Sequence, residues 1–458
     1  MHQMPGRPGG SAKREGEACV RAGHDEAESA RGARTDCGAG DLLGQALARE
    51  NMAAAWRHVK ANKGSAGVDG RTVQDTAKYL MTAWPRIRAQ LLDGSYRPAP
   101  VRRVGIPKPG GGQRELGIPT VVDRLIQQAL LQVLQPIIDP TFSEHSHGFR
   151  PGRSAHGAVL KAQQHVQAGY RVVVDVDLEK FFDRVNHDIL MARLGKRIVD
   201  KRVLGLIRRY LQAGIETHGV LTQRLEGVPQ GGPLSPLLAN VLLDEVDREL
   251  ERRGHRFVPG PRRGPFVALV DDCNVYVKSL RAGQRVLEAL RRCYDRLRLQ
   301  VNEAKTAVAV VWGRKFLGYC LRPGPQGQVK LAIAIQVQEK ARERLRRITK
   351  RNRGRSMGQI VRELKDYVPG WKAYFQLAQT PTVLQAIDTW LRRRLRAVQL
   401  KQWKTGPRTY WALRRLGATE QLATAVARNV GSWWRSSRHV GRVLDLAYYD
   451  RLGVPKFS

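Results

Sequence analysis

Two adjacent carboxylates, Asp271 and Asp272, interrupt an apolar run in the stretch FVALVDDCNVYVKS at residues 266–279. Apolar residues stand on both sides of the acids, which predicts a strand, a tight turn and a second strand, with the acids at the turn. Asp is also a common turn residue. Taken alone, the pair is therefore more simply explained as the tip of a surface hairpin, and the rest of the sequence has to decide its role.

A second pair of carboxylates occurs in VVVDVDLEKFFDRVNHD, where Asp175 and Asp177 lie at the end of a predicted buried strand over 171–177. A strand that ends in Asp beside a hairpin whose tip is Asp-Asp can hold two divalent metal ions. Carboxylate oxygens suit Mg²⁺, and two such ions about 3.5–4 Å apart clamp an in-line displacement at phosphorus. Asp also commonly caps a following helix, but that alternative does not exclude metal binding. The acids therefore predict a site for two Mg²⁺ ions.

The charge balance predicts a polyanionic partner. The 458 residues include 79 Lys and Arg against 41 Asp and Glu, a net charge of +38, and neutralising phosphates releases condensed counterions. A membrane partner is not expected, because no apolar run approaches the ~20 residues that span a bilayer and no signal-peptide core is present. Five scattered cysteines without a Cys-x-x-Cys pair favour a reducing compartment over a structural zinc site. Together with the acids, this predicts a soluble intracellular protein that performs nucleotidyl transfer.

The hydrophobic patterning divides the chain near 325–335 into a mixed half and a helical half. Residues 1–40 lack periodicity and predict a disordered leader. The first half predicts a basic hairpin around the Pro-Gly-Gly-Gly turn within 93–120 and a strand pair VAVVW and KFLGYCL ending at Leu321. Helices are expected from about Asp41 to Leu92, over 123–138, after the loop HSHGFRPGRSAHGAV, and over 178–214 and 282–298, and residues 228–250 predict a Pro/Gly-rich loop that leads into a long helix. Beyond Gly324 the strands are expected to stop, and basic helices to continue to about Gly417, before a short aromatic and basic tail.

An ordered set of segments resembles the palm motifs of a reverse transcriptase. These segments are VVVDVDLEKFFDRVNHDIL, GVPQGGPLSPLLANVLLDE, VDDCNVYVKS, LQVNEAKT and RKFLGYCL. Two earlier segments, RRVGIPKPGGGQRELGIPTVVDRLIQQALLQVL and HSHGFRPGRSAHGAV, resemble the fingers of the group II intron-encoded reverse transcriptase/maturases of bacteria and organelles. Each motif alone is weak, but the ordered set is specific. The resemblance runs from about Asp41 to the C-terminus.

The resemblance implies an α+β fold, in which a right-hand polymerase, with fingers and a palm built on an antiparallel sheet, precedes an all-helical thumb/maturase domain. The expected domains are a leader at 1–40, an N-terminal extension and fingers at 41–165, a palm at 166–325, an RNA-binding thumb/maturase domain at 326–404 and a small basic, DNA-binding-like region at 405–458. The Cys-pair and His-Asn-His pattern of the family's endonuclease domain is missing. Second-strand cleavage by this protein is therefore not expected.

The resemblance also implies roles for individual residues. Asp177, Asp271 and Asp272 match the catalytic metal ligands, the backbone carbonyl of Leu178 would complete a metal shell, and Asp175 is the less favoured candidate. The expected dNTP-binding residues are the steric gate Phe182, the pocket residue Gln230, the triphosphate-binding Arg102, Lys108 and Arg114, and Lys305, which would protonate pyrophosphate. Each residue has a simpler alternative. Phe182 could be an ordinary core residue, and Phe181 is equally well spaced to be the gate; Gln230 could be a polar loop residue. The three cations could make generic RNA-phosphate contacts, and Lys305 could be a solvated surface lysine.

The opening stretch departs from the family pattern, which reads Tyr-Ala-Asp-Asp. Here Leu269 and Val270 precede the two acids. Val270 is a mild change, whereas Leu269 keeps an apolar body and loses the polar tip of the tyrosine. The acids are intact, so we expect metal binding with reduced or altered polymerisation. His147 also replaces a Tyr of the family, a change that we expect to be tolerated.

The helical half carries two basic segments. QEKARERLRRITKRNRGR places four cations at helical spacing, and DTWLRRRLRAVQLKQWK adds four more beside Trp390 and Trp403. A basic helical face with interleaved aromatics fits RNA, although a solvated charged face is the alternative. The RNA-binding residues expected are Arg342, Arg346, Lys350, Arg353, Arg392, Arg393, Arg394 and Arg396. In GWKAYFQL, by contrast, Trp371, Tyr374 and Phe375 are expected in the core.

The sequence thus predicts a group II intron reverse transcriptase/maturase, an RNA-directed DNA polymerase that also binds its intron RNA to promote splicing and mobility. The expected partners are intron RNA, an RNA template with a DNA primer, target DNA and dNTPs, in the bacterial cytoplasm, as a ribonucleoprotein associated with the nucleoid. One alternative is a polymerase-impaired maturase that acts only as an RNA-binding splicing factor. Another is a host-domesticated or defence-linked reverse transcriptase that no longer serves an intron.

Overall fold

The computed structural model describes residues 40–107, 113–217, 219–259 and 273–458. The predicted leader falls outside these residues apart from Gly40, as do Asp271 and Asp272. The first helices pack around a long apolar helix, α4, which confirms the helix predicted over 123–138. They are α1 Leu42–Ala46, α2 Arg49–Ala61, α3 Val73–Leu92 and α4 Val121–Ile138. Within the described ranges, no helix is both long and apolar enough to cross a membrane.

The predicted basic hairpin is confirmed. Strands β1, Val101–Pro107, and β2, Gln113–Ile118, pair antiparallel. Two strands that the patterning did not predict, β4 at Ile215–Thr217 and β5 at Val220–Thr222, extend this sheet in the order β2-β1-β4-β5, with β1 and β4 parallel. Each of these strands is 3 residues long, too short to leave a recognisable alternation in the sequence.

A four-stranded antiparallel sheet forms the centre of the molecule. Its order is β6-β7-β3-β8, with strands β3 Val172–Val176, β6 Arg256–Pro259, β7 Cys273–Val277 and β8 Ala307–Val310. In the register of β3 with β7, Val176 pairs with Cys273 and Val172 with Val277. Val174 and Val176 lie in one hydrophobic core, and Val173 lies in the other, because successive side chains of a strand point to opposite faces.

Helices cover both faces of this central sheet. α9 contacts β3, β7 and β8, whereas α5 contacts β6 and β7. The helices of this part are α5 Ala155–Gln167, α6 His187–Gly195, α7 Lys201–Gln212, α8 Ser235–Arg252 and α9 Leu280–Arg296. α8 and α9 confirm the helices predicted within 228–250 and over 282–298. The stretch 178–214, which was predicted to be helical, contains α6 and α7, but α6 begins only at His187. The core on the α9 side also includes residues of α1, α3 and α4, and therefore joins the N-terminal helices to the sheet.

The prediction that strands stop at Gly324 is wrong. β9 Lys315–Phe316, β10 Tyr319–Pro323 and β11 Val329–Ile333 form a three-stranded sheet in the order β11-β10-β9. VAVVW overlaps the strand β8 as predicted. KFLGYCL, predicted as one strand paired with it, instead forms the two antiparallel strands β9 and β10 with a turn between them, and it lies in a different sheet because β8 pairs with β3. The Gly-Pro-rich turn after β10, which was interpreted as the end of the strands, instead reverses the chain into β11, and the side chains of Leu331 and Ile333 are buried there.

The remainder of the described chain is helical. Its helices are α10 Ile335–Ile348, α11 Met357–Tyr374, α12 Pro381–Trp403, α13 Gly406–Arg415, α14 Glu420–Arg428, α15 Trp433–His439 and α16 Leu446–Arg451. Trp371, Tyr374 and Phe375 are buried in the second core, as predicted. α10 ends at Ile348, so Lys350 and Arg353 follow the helix, and the prediction that they extend one helical face is wrong.

Candidate active site and nucleic-acid interface

Asp177 lies directly after β3, and its main chain is fixed on both sides. The Asn302 N–H donates to the Asp177 carbonyl at 2.8 Å, and the Asp177 N–H donates to the Thr306 hydroxyl oxygen at 3.2 Å. The residue is 7% exposed. Its carboxylate oxygen Oδ2 accepts a hydrogen bond from the Lys305 ammonium at 2.9 Å. One turn, at residues 302–306, therefore positions the predicted metal ligand and supplies a cation to it.

The next residue, Leu178, forms an isolated antiparallel bridge with Val301. The two hydrogen bonds of this bridge are made by its neighbours, since the Glu179 N–H donates to Gln300 and Asn302 donates to Asp177, each at 2.8 Å. This is the pattern of a non-hydrogen-bonded antiparallel pair. The carbonyl of Leu178 is therefore not used by the bridge, which is compatible with the metal-ligand role expected for it.

Asp271 and Asp272 lie outside the described residues, together with Leu269 and Val270. The described chain resumes at Cys273, the first residue of β7, which pairs with Val176, the last residue of β3. The strand that follows the two acids is thus hydrogen-bonded to the strand that precedes Asp177. The structure tests this half of the predicted hairpin and shows it to be a buried strand of the central sheet.

Asp175 has a different environment from Asp177. Arg314 donates to its Oδ2 at 2.8 Å, and the two side chains line an apolar cavity bounded by Tyr276 and Tyr319. This ion pair accounts for the charge of Asp175 without a metal ion. The lower rank of Asp175 as a metal ligand stays a prediction.

The donors present fit Mg²⁺ in part. A carboxylate and a carbonyl oxygen are the hard ligands that Mg²⁺ takes, and Asp177 and Leu178 supply one of each on a fixed backbone. Within residues 40–107, 113–217, 219–259 and 273–458, however, no group of three His, Cys, Asp or Glu residues is arranged to hold a metal ion. The remaining carboxylates expected at the site, Asp271 and Asp272, belong to the part that is not described.

Both candidates for the steric gate are core residues in this structure. Phe181 and Phe182 are 1% and 5% exposed, and their rings meet edge to face at 5.2 Å. The Phe182 carbonyl accepts a hydrogen bond from the Val228 N–H at 2.6 Å. The segment after Asp177 is thereby fastened to the loop that carries Gln230. Burial does not distinguish the two rings, and the choice of gate stays a prediction.

Glycines permit close approach in that loop. Gly227 has φ +90°, and a Cβ there would stand 2.8 Å from the Phe182 oxygen. At Gly231 (φ +141°) a Cβ would stand 2.7 Å from the Gly117 oxygen. The main-chain oxygen of Gln230 in turn accepts a hydrogen bond from the Gly117 N–H at 3.0 Å. Gln230 is therefore held against β2, the second strand of the basic hairpin.

Of the three cations predicted on the hairpin, one has a described side chain. Arg102 on β1 is half-buried, and its Nε is buried with no hydrogen-bond partner among the described atoms. Burial lowers the pKa of Arg124, and the nearby charge of Arg102 lowers it further, whereas Asp69 acts in the opposite direction. Arg114 pairs through its main chain with Ile106. Lys108 lies outside the described residues.

Asn302 and Thr306 are site residues that the sequence analysis missed. Both hold the main chain of Asp177, and both flank Lys305 in the stretch VNEAKT. The motif resemblance singled out Lys305 in this stretch. The neighbouring polar residues carry no signal of their own, because their role depends on a contact between segments that are far apart in sequence.

The predicted RNA-binding residues differ in how far their side chains are held by other parts of the protein. Arg346 and Lys350 are exposed, and Arg342 and Arg392 are half-buried. Arg353 lies 3.6 Å from the Glu363 carboxylate. The anchored ones are Arg393, whose guanidinium lies 4.0 Å from the Trp434 ring centroid, Arg394, which donates to the Thr349 hydroxyl at 2.7 Å, and Arg396, which donates to the Leu444 carbonyl at 2.8 Å.

Two family models match the chain. A model for reverse transcriptase (RNA-dependent DNA polymerase) matches residues 106–321, and a model for the group II intron maturase-specific domain matches residues 338–417. The first match covers the hairpin, the central sheet and the Asp177 segment, and defines this part as a reverse transcriptase domain. With the maturase domain in the same chain, the protein belongs to the group II intron-encoded reverse transcriptase/maturase family.

Individual proteins are similar to parts of this chain. Protein YkfC from Escherichia coli K12 is 39% identical over 210 residues, covering 44% of this chain and 55% of that protein. Group II intron-encoded protein LtrA from Lactococcus lactis is 40% identical over 196 residues, covering 42% of this chain and 32% of that protein. Nuclear intron maturase 1 from Arabidopsis thaliana is 30% identical, over 30% of this chain and 26% of that protein. The alignments thus span about half of the first relative and a third or less of the others.

The predicted fold class is confirmed. The chain has the α+β architecture of a right-hand polymerase, with an antiparallel palm sheet, followed by a helical thumb/maturase region. Only β11, Val329–Ile333, departs from the expectation that everything after residue 325 is helical.

Among solved structures, a partial Cas6-RT-Cas1–Cas2 complex is 24% identical over 56% of this chain and 42% of that chain, with a TM-score of 0.35.

Proposed function

We propose that the chain is an RNA-directed DNA polymerase that acts by two-metal nucleotidyl transfer at Asp177, Asp271 and Asp272. The observation that carries this proposal is the pairing of Val176 with Cys273. Asp177 follows Val176 and Asp272 precedes Cys273, so this pairing favours bringing both acidic segments to the same end of the palm sheet. Catalytic acids need rigid support, because a displacement of about 1 Å can cost two orders of magnitude in rate.

Residues of this chain hold the substrates in the proposed mechanism. Arg102, Lys108 and Arg114 bind the triphosphate of the dNTP, because guanidinium and ammonium groups suit phosphate oxygens. Phe182 screens the sugar at its 2′ position, and Gln230 lines the dNTP pocket. Lys305, held at Asp177, supplies a proton to the departing pyrophosphate. When bound at the carboxylates and at the Leu178 carbonyl, two Mg²⁺ ions supply activation of the primer hydroxyl and neutralisation of the leaving group.

The maturase region gives the proposal its second activity. The chain binds group II intron RNA through its thumb/maturase domain and stabilises the active RNA fold for splicing, while the splicing chemistry belongs to the RNA. Mobility then follows from copying an RNA template from a DNA primer at a target DNA site. The names of the relatives, an intron-encoded protein and an intron maturase, support this proposal, and we place the ribonucleoprotein in the bacterial cytoplasm, associated with the nucleoid.

A polymerase-impaired maturase is the second candidate, and Leu269 is the observation that favours it. The tyrosine that the family carries at this position has a hydroxyl that can hydrogen-bond near the primer terminus, and Leu269 does not. Under this reading the protein binds intron RNA and promotes splicing but copies RNA slowly or not at all. The acids would then be remnants of a polymerase ancestor.

Restoring the tyrosine separates the two candidates. Wild type and Leu269→Tyr are compared in primer extension on an RNA template and in splicing of the intron RNA that flanks the gene. If the chain is a working polymerase, the wild-type protein extends the primer, and Leu269→Tyr raises the rate of extension without changing splicing. Extension in Leu269→Tyr alone would support the splicing factor. Absence of extension in both variants, with no effect on splicing, would contradict both readings.

A further inference from the structure

A cationic pocket of about 260 Å³ lies where the end of α10, the turn after it, α12 and the start of α15 meet. Its walls are mainly three arginines and two tryptophans: Arg346, Arg351, Arg394, Trp390 and Trp434. The palm residues discussed above do not line it. The sequence analysis named some of these arginines as members of a basic face, but it did not predict a concavity with aromatic walls.

Two of the three arginines in this pocket have no acidic partner among the residues that the structure describes. Arg346 and Arg351 are exposed, and neither forms an ion pair with a carboxylate within the described part of the chain. Burial lowers the pKa of Arg394, and the charges of Arg346 and Arg351 lower it further. Three cations that repel each other across a cavity favour an anion between them.

Contacts within the protein account for the positions of two of these side chains, Arg394 and Trp390. Arg394 donates through Nε to the Thr349 hydroxyl at 2.7 Å and reaches the Arg346 and Thr349 carbonyls at 3.4 Å, so it also satisfies the C-terminus of α10. Trp390 is contacted by two of the arginines, with guanidinium carbons 5.6 and 5.2 Å from its ring centroid. These contacts account for Arg394 and Trp390 without a ligand.

The same contacts do not account for Arg351 and Trp434. Arg351 is exposed and lies 5.7 Å from the Trp433 ring centroid. Trp434 remains 38% exposed at the pocket although its neighbour Trp433 is half-buried. Arg393 packs 4.0 Å from the Trp434 ring centroid and thereby holds the indole in place. An indole fixed by one arginine and left accessible beside other cations is a stacking surface.

We propose that this pocket takes one unpaired nucleotide of RNA, with its base stacked on Trp434 and its phosphate bound by Arg346 and Arg351. An unpaired nucleotide fits better than a duplex, because only a base free of its stack can enter a concavity and meet an aromatic ring. The guanidinium groups match phosphate in charge and geometry. The inference rests on the proposed function, since it takes RNA as the polyanion that this domain binds.

The test is equilibrium binding of the full-length chain to three fluorescein-labelled probes of one base sequence: single-stranded RNA, blunt duplex RNA and single-stranded DNA. The pocket variants are Trp434→Ala, Trp434→Phe and Arg351→Ala. Arg344→Ala is the matched control, because Arg344 is an exposed arginine on α10, two residues before Arg346 and about 200° away around the helix. It removes one charge without touching the pocket.

Trp434→Ala is expected to weaken single-stranded RNA binding by about five- to a hundredfold, the range for loss of one base–aromatic stack. Duplex binding should change no more than in the control, and Trp434→Phe should retain most of the affinity. Arg351→Ala should weaken single-stranded RNA binding more than Arg344→Ala does, and should reduce the salt slope by about one.

Equal weakening of all three probes by pocket and control variants would overturn the proposal, because it would show a general basic surface. If the pocket variants lose as much affinity for single-stranded DNA as for single-stranded RNA, the assignment of the pocket to RNA would be overturned. Arg351 is exposed, so its variant keeps the test valid even if Trp434→Ala fails to fold. The readout is binding alone, so failure here is distinguishable from failure of the polymerase or splicing proposals, which are measured by extension and by splicing.

Discussion

The ammonium of Lys305 lies 2.9 Å from Oδ2 of Asp177, the carboxylate that follows the central palm strand. The side chain of Lys305 is 64% exposed, whereas that of Asp177 is 9% exposed. Exposed ion pairs contribute about 0–1 kcal/mol to stability, and because the lysine end of this pair is open to solvent, we expect its contribution to stay near the upper end of that range. Its place at the predicted metal ligand instead favours a role in the reaction.

Removing this ammonium should therefore affect activity far more than stability. Lys305→Ala is expected to lower the rate of single-nucleotide incorporation by about 10²–10⁴-fold, the range for loss of a general acid. Its midpoint of thermal unfolding should stay within a few degrees of wild type. Rapid-quench incorporation assays and differential scanning fluorimetry measure the two quantities.

The control for Lys305 is the exposed pair formed by Arg291 and Glu303, which are 2.7 Å apart in the same region. Arg291→Ala removes a cation from a pair in which both side chains are exposed, and Arg291 forms no ion pair with Asp177 within the described residues. It should leave the rate within about twofold. An equal loss of rate in both variants would mean that general surface charge, not the contact with Asp177, supports incorporation.

Gly227 should be intolerant of a side chain for two separable reasons. Its φ is +90°, and an added Cβ would stand 2.8 Å from the Phe182 oxygen. Gly169 has φ +92° and nothing within 4 Å of the added Cβ, so Gly169→Ala measures backbone strain alone, about 1–2 kcal/mol. Gly227→Ala should cost about 1–3 kcal/mol more through overpacking. Equal losses in urea unfolding of the two variants would show that the loop moves freely away from Phe182.

Asp388 should hold the segment that contains Phe457 and Ser458. Its buried carboxylate accepts hydrogen bonds from both main-chain N–H groups at 2.9 Å. Asp388→Ala is expected to cost about 1–3 kcal/mol and to speed hydrogen–deuterium exchange in residues 454–458. Asp450→Ala breaks only the exposed pair with Lys456 and is the control. Unchanged exchange in Asp388→Ala would show that the other contacts of the segment, such as the packing of Phe457 on Trp371 and the hydrogen bond from Lys372 to the Ser458 carbonyl, are enough to hold it.

His147 should make the protein sensitive to acid. Burial, followed by the charges of Arg153, His145, Arg150 and Lys161, lowers the pKa of His147 to about 4. In the unfolded chain its pKa is about 6.5, so the unfolded state binds the proton first as pH falls. The stability contributed by neutral His147 is therefore full above pH ~6.5 and is lost progressively as pH falls towards ~4.

His147→Phe removes this titration and keeps a ring at the position. As pH falls from about 6.5 to 4, the unfolding free energy of wild type should decrease relative to that of His147→Phe. His165, whose pKa burial and Lys161 also lower to about 4, remains in both proteins and cancels in the comparison. A difference that is constant across this pH range would contradict a depressed pKa for His147.

Long periodic elements and the order of motifs could be predicted from the sequence. α4 and the hairpin of β1 and β2 follow from apolar periodicity and a Gly-rich turn. The place at the end of an apolar strand singled out Asp175 and Asp177 together, and only the family resemblance preferred Asp177. β4 and β5 could not be predicted, since each has 3 residues and is stabilised by pairing with distant β1. β11 was missed because a Gly-Pro turn predicts the end of a strand as readily as a reversal.

Contacts between distant segments account for the rest of what the sequence did not predict. The hold of Asn302 and Thr306 on Asp177 joins residues more than a hundred positions apart. The turn after Ile348, which removes Lys350 and Arg353 from the helix, coincides with the hydrogen bond from Arg394 to Thr349. The pocket around Trp434 likewise exists only because α10, α12 and α15 meet.

Primer extension on an RNA template with Mg²⁺ and dNTPs tests the central claim most directly. Wild type is compared with Asp177→Asn and with Asp271→Ala/Asp272→Ala, while RNA binding is measured for each. We predict extension by wild type, its loss in both variants and unchanged RNA binding. Extension that persists in the variants would contradict the assignment of the three acids. Absence of extension in wild type, with tight RNA binding retained, would contradict polymerase activity and leave a splicing factor.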